Sequence, residues 1–242
     1  MILLYDNKVM NLNSDYKTAC ELSEKILSHD EMIEMLKKGN IPQKQFAALN
    51  LDFIKNEEEG SILVDNLTGC DGKIREAVAL KINQLLNTDS NKFSQYFYPY
   101  YNVFADASID INANICRLVI DSARVLKDNI EFSRKYSDRI LEFIDETFTE
   151  IDKFIFRDKK YVINKQLFKL YWCLESLKLF VNDIPKETLL NILERASQEK
   201  EYTIREKVAQ ILILLNDDIF AQLKEKLRKD ENYYVKTAMK KE

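Results

Sequence analysis

The side chains able to do chemistry are few and scattered. His29 is the only histidine in a chain of 242 residues, so no His-based acid–base pair and no His-rich zinc site is expected. Glu57, Glu58 and Glu59 form a carboxylate run. Adjacent side chains radiate around a helix end instead of converging on an ion, so the expectation is a solvated acidic turn that starts a helix, not a metal site. Loops that cradle phosphate need glycine, and the chain has four. It carries no G-x-S-x-G elbow, no P-loop and no dinucleotide-binding fingerprint. Cys20, Cys70, Cys116 and Cys173 lie far apart with no C-x-x-C pair, and are expected to be buried free thiols. No catalytic residue, metal or cofactor emerges from these groups.

Two aromatic clusters are less ordinary. Tyr96, Phe97, Tyr98, Tyr100, Tyr101 and Phe104 surround Pro99. Tyrosine offers a large contact area with few rotors, so Tyr96, Tyr98, Tyr100 and Tyr101 are candidate recognition residues; core packing around a proline kink is the competing reading. Tyr233 and Tyr234 pose the same choice, with closure of the chain's end as the structural role. Lys224, Lys226, Arg228 and Lys229 are interleaved with Asp217, Asp218, Glu225, Asp230 and Glu231, which describes a solvated helix face.

These groups must be held by helices. Only four Gly and three Pro are present, too few to turn the corners of a sheet-rich fold. Apolar residues recur at a period of 3.6: Ile204, Val208, Ile211, Leu212 and Leu215 share one face, as do Ile163, Leu167, Leu170, Leu174 and Leu177. Further helices are expected over 92–104, 133–156, 186–196 and 219–227, with caps at Thr88 or Asp89, Asp110, Asp158 and Asp217. Pro42 and Pro185 suit first turns, and Pro99 should kink or end a helix. A net charge of −4 with interleaved signs gives no global field to draw nucleic acid or anionic lipid. No run approaches the roughly 20 apolar residues of a membrane span, and the start lacks the pattern of a signal peptide, so a cytoplasmic location is the expectation.

A short signature recurs. Asp71-Gly-Lys-Ile74-Arg75-Glu-Ala-Val78 returns as Glu201-Tyr-Thr-Ile204-Arg205-Glu-Lys-Val208, with an echo at Asn232-Tyr-Tyr-Val235-Lys236. The anchors Ile74, Ile115, Ile163, Ile204 and Val235 are 41, 48, 41 and 31 positions apart, around the period of paired-helix repeats. On these residues the chain resembles HEAT-repeat proteins of the armadillo-like class. The copies at Ile115 and Ile163 depart from the pattern, with Asn112 and Lys160 in the acidic slot and Cys116 and Asn164 in the Arg slot. The resemblance implies an all-α fold: a right-handed α-α superhelix of about six stacked antiparallel helix pairs forming a single domain over 1–242. It implies that Asp71, Arg75, Glu201 and Arg205 fix the stacking between repeats. Arg117, Arg124 and Lys165, polar positions on second helices, are binding candidates on the inner side. The expected function is a non-catalytic scaffold that binds another macromolecule, a protein before a nucleic acid, with no membrane role. The alternative is a HEAT-like DNA glycosylase acting on alkylated bases, which would need a cationic track and aromatic groups facing the lesion.

Overall fold

A computed structural model describes residues 14–154 and 160–240. The expected cap Asp158 and the expected helix end at Ile155–Phe156 lie outside the described residues, as do the side chains of Phe154 and of residues 160–163. Among the described residues every regular element is helical, and the fold is all-α.

The helices group into two compact units. The first holds α1 (residues 14–23) and three pairs. These are α2 (His29–Lys38) with α3 (Ile41–Asn50), α4 (Glu57–Asp65) with α5 (Gly72–Thr88), and a broken first member followed by α8 (Ala113–Leu126). The broken member runs α6 (Ser90–Phe93), two 3₁₀ turns and α7 (Tyr101–Ala107). The second unit also holds three pairs: α9 (Ile130–Phe154) with α10 (Lys160–Leu177), α11 (Lys186–Ala196) with α12 (Tyr202–Leu212), and α13 (Ala221–Arg228) with α14 (Tyr233–Ala238).

Within each unit the second helices pack side by side: α3 on α5 and α5 on α8, then α10 on α12 and α12 on α14. Neighbours in a row run parallel. Glu76 meets Asn112 and Asn114 at one end of α5 and α8, while Asn83 reaches the Leu118 carbonyl and Ser122 further along. The pair α9 and α10 runs antiparallel, with Tyr136 near the start of one touching Ser176 near the end of the other. This is the stacking that HEAT- and armadillo-like repeats share, and it follows from the stripes. Ile115, Val119, Leu170, Leu174, Ile204 and Val208 are all buried. Each such side chain contributes roughly 1.5–3 kcal/mol only when a neighbour covers it. Among the described residues Tyr136 is the largest fully buried side chain, held between Phe132 and Phe180, and its hydroxyl donates to Ser176 Oγ at 3.2 Å.

The acidic slot of the signature is a helix cap. Asp71 accepts from the N–H groups of Lys73 and Ile74, Glu201 from Thr203, and Asn232 from Tyr234. Asn112 does the same for Asn114, so the cap of α8 is Asn112 and not Asp110 as expected. An amide oxygen meets orphan N–H groups as well as a carboxylate does, which is why this copy departs from the pattern in letters but not in geometry.

Other expectations are corrected. A continuous helix over 92–104 is absent: two 3₁₀ turns, Ser94–Tyr96 and Tyr98–Tyr100, interrupt it. Pro99 has no N–H to give, and the ring disfavours the α conformation before it. Pro185 is the cap of α11 and not its first residue, and the helix over 219–227 opens as a 3₁₀ turn, Asp218–Phe220, capped by Asp217. Cys116 and Cys173 are buried, whereas Cys20 and Cys70 are exposed, one on α1 and one in the loop before α5. No described helix is long and apolar enough to cross a membrane.

Candidate functional site

The expected binding residues fall on different elements. Arg117 and Arg124 are exposed, two turns apart on α8. Arg117 donates to Asn114 Oδ1 at 3.1 Å, and Arg124 faces Asp121 at 3.4 Å. Lys165 is exposed on α10 and belongs to the other unit. Tyr96, Tyr98, Tyr100 and Tyr101 are half-buried in the broken first member of the third pair, while Phe97 and Phe104 enter the core. Tyr96 lies against Gly60 and its hydroxyl donates to the Lys55 carbonyl at 3.2 Å. Pro99 thus splits the aromatic run between core and surface.

His29 does acquire an acid–base partner, contrary to expectation. Its Nε2 stands 2.9 Å from Glu59 Oε2, and its ring stacks on Phe53 at 4.6 Å. Glu59 is buried, not solvated, and also accepts from the Lys55 N–H at 2.7 Å. The run Glu57–Glu59 does open a helix, α4, capped by Asn56. One residue of the three turns inward because Asn56 fixes the phase of that first turn. The pair joins the start of α2 to the start of α4. Among the described residues no group of three or more His, Cys, Asp or Glu side chains could hold a metal ion.

Arg75 and Arg205 both turn back on the loop before their helix. Arg75 donates to the Gly69 carbonyl at 2.7 Å. Arg205 donates through Nη1 to the carbonyls of Glu199 and Lys200, both at 2.8 Å, and grips Asp230 with Nε and Nη2. Asp230 precedes α14, so this contact crosses from the second pair of its unit to the third. The hydrogen bonds from the Arg205 guanidinium, with a further one from the Asn232 N–H, hold the Asp230 carboxyl below the usual range against the opposing effect of burial.

A polar network joins α10 to α12. Lys207 on α12 donates to Glu175 on α10 at 2.5 Å and stands over the Tyr171 ring at 4.6 Å. Lys178 shares the same carboxylate at 3.3 Å, and Gln210 accepts from both lysines. Burial pushes the Glu175 carboxyl up, but the two ammonium groups outweigh it and leave the group below its usual range. Burial likewise pulls the Lys207 ammonium down, and Glu175 outweighs that to hold it above its usual range. Beside this network a groove of about 430 Å³ opens, lined by Lys178, Glu206, Gln210, Ile213, Leu214 and Tyr234 among others. Tyr202 stacks on Tyr234 at 5.8 Å, and Tyr233 meets Tyr234 edge-on at 5.7 Å.

Sequence reasoning missed Tyr202, Lys207 and Gln210. A signal for the first was present, since both Glu201 and Asn232 are caps followed directly by tyrosine. Lys207 carried none: a lysine among polar neighbours on a helix reads as solvated until α10 is laid beside it.

No protein-family model matches the chain, and no curated protein matches it. Among solved structures, a designed armadillo repeat protein aligns at 12% identity with a TM-score of 0.44, covering 88% of this chain and 97% of that one. A second engineered protein, a structural-genomics target, aligns at 10% identity with a TM-score of 0.46, covering 89% and 94%. The chain's own helix pairs, caps and parallel second-helix rows make it an all-α helical-repeat protein.

Proposed function

We propose that the chain is a non-catalytic helical-repeat scaffold that binds a protein partner on the exposed side of its second-helix rows. What supports this most is the α10–α12–α14 row. It combines a groove, exposed tyrosines and a charged network already held in place. Side chains fixed before binding lose less entropy on contact, and tyrosines concentrate interface energy. Lys165, Arg117 and Arg124 extend the polar surface of second helices in their respective units. The glycosylase alternative finds no tryptophan to set against a base, because Trp172 is buried.

The test is site-resolved. A photo-crosslinking residue replaces Gln210 on α12 in one variant and Thr149, exposed on the first helix α9, in another. Crosslinking of one and the same protein from position 210 and not from 149 is the expected result. Crosslinks from 149 alone, or turnover of a small molecule by a chain that captures nothing at either position, would refute the reading.

A further inference from the structure

Among the described residues three cationic side chains are buried: Lys81 at 8% exposure, Arg205 at 9% and Lys207 at 8%. Arg205 holds Asp230 and two carbonyls, and Lys207 holds Glu175. Lys81, on α5, is different. No described residue gives its ammonium a hydrogen bond or an ion pair. A buried charge is normally paired, or it gives up its proton.

The fold explains the isolation. Glu76 and Asn83 face α8, where they find partners. At about 100° per residue, Lys81 lies on the opposite flank of α5 from Asn83, toward α3. Ala77, Val78 and Leu85, one turn away on either side, are buried apolar residues. The carboxylate that acts on the ammonium is Asp52, exposed just past the end of α3. Burial pulls the ammonium below the usual lysine range, and Asp52 offsets that only in part. The Nζ is nevertheless not sealed from solvent.

An amine in that setting is a nucleophile. An ordinary lysine is neutral roughly once in 2,500 at pH 7, and only the neutral form attacks. Burial raises that fraction at Lys81. The surroundings then select the reagent. The amine lies between two packed helices, so the reagent must be small. Asp52 stands beside it, so an anion is repelled. Burial opposes charge here, so the product must be neutral. A small uncharged aldehyde meets all three conditions.

We propose that Lys81 is a covalent capture site for small uncharged aldehydes. The Nζ lone pair attacks the carbonyl carbon, and a C–N bond forms. The carbonyl oxygen takes both protons from the nitrogen and leaves as water, and a neutral imine remains. This goes beyond the scaffold reading. Lys81 belongs to the first unit and the crosslinking position 210 to the second, so the two tests are independent.

The probe is propionaldehyde with sodium cyanoborohydride, added to the full chain at pH 7. Reduction fixes each imine as a propylamine, which peptide mass spectrometry assigns to its lysine. Lys81 should be modified about tenfold or more faster than Lys73, an exposed lysine on the same helix, as a tenfold greater neutral fraction requires. In urea the two rates should become equal. Asp52→Asn removes the charge that favours the ammonium, and should speed Lys81 severalfold while leaving Lys73 unchanged. Glyoxylate, an anionic aldehyde, should show little preference for Lys81 in the native chain and more in D52N. Lys81→Met should keep the melting temperature, because an apolar side chain replaces a buried charge, and should lose the fast phase. Four results would overturn the proposal: native Lys81 reacting no faster than Lys73, a preference that survives urea, an unchanged Lys81 rate in D52N, or a fast phase that persists in K81M.

Discussion

Arg205 holds Asp230 through two hydrogen bonds, Nε to Oδ2 at 2.8 Å and Nη2 to Oδ1 at 3.2 Å, with both side chains about nine-tenths covered. A planar fork on a carboxylate joins the second pair of that unit to the third. Lysine cannot reproduce the fork. Arg205→Lys should cost about 1–2 kcal/mol, and Arg205→Met about 3 kcal/mol because it strands a covered carboxylate. The double variant R205M/D230M should recover most of the loss. Urea unfolding of the three proteins checks this; equal losses in the single and double variants would show that the pair is not what matters.

This pair and the Glu175–Lys207 pair set a pH dependence. The Asp230 and Glu175 carboxyls both sit below their usual ranges in the folded chain. Their contribution is fully present above the unfolded values, about 4 for either group. It is lost as pH falls through the lower folded values. Melting temperature should therefore stay flat from neutrality to about pH 5 and fall steeply below about pH 4. In R205M the fall should be shallower, since Asp230 no longer contributes.

The caps are separable from the pairing. Asp71→Ala removes one side-chain acceptor from the start of α5 and should cost about 1 kcal/mol. Asn112→Ala removes the cap of α8 and also the bond from its Nδ2 to Glu76 at 3.0 Å, so it should cost nearer 2 kcal/mol. Thermal unfolding of the two variants side by side distinguishes a shared cap role from an incidental one.

Two glycines in helices should respond in opposite senses. A methyl group at Gly60 would come within 3.0 Å of Tyr96 Cβ and 3.1 Å of its carbonyl oxygen. Gly60→Ala should destabilise by about 1–2 kcal/mol as the 3₁₀ turn gives way. At Gly72, the first residue of α5, the nearest atom is the far end of Arg75 at 3.7 Å. Gly72→Ala should stabilise by about 0.5 kcal/mol. Equal effects at the two sites would contradict the close approach of α4 to the aromatic turn.

Thiol reactivity reports burial directly. Cys20 and Cys70 should react with an aromatic disulfide reagent within minutes in the native chain, and Cys116 and Cys173 only with urea present. Four fast thiols would mean that the helix faces around Ile115 and Leu174 are not packed as described.

Much of the fold was legible because burial imposes a period. The stripes on α8, α10 and α12, the start of α3 at Pro42 and the cap at Asp89 all follow from local rules. Asp110 was misread because two acceptors lie near the start of α8 and only packing selects Asn112. The break at Pro99 was visible, but not that the chain would continue through two 3₁₀ turns pressed on Gly60. Glu59 and His29 are 30 residues apart, and no local pattern announces their pairing.

By its own letters the chain determined that it folds as helices in repeating pairs, since a stripe of period 3.6 and a cap before it are properties of one segment and its solvent. Which cations would meet carboxylates, which tyrosines would stay open and where a groove would form were decided only when α10, α12 and α14 came side by side. Those outcomes depend on distances across helices, and sequence separation does not encode them.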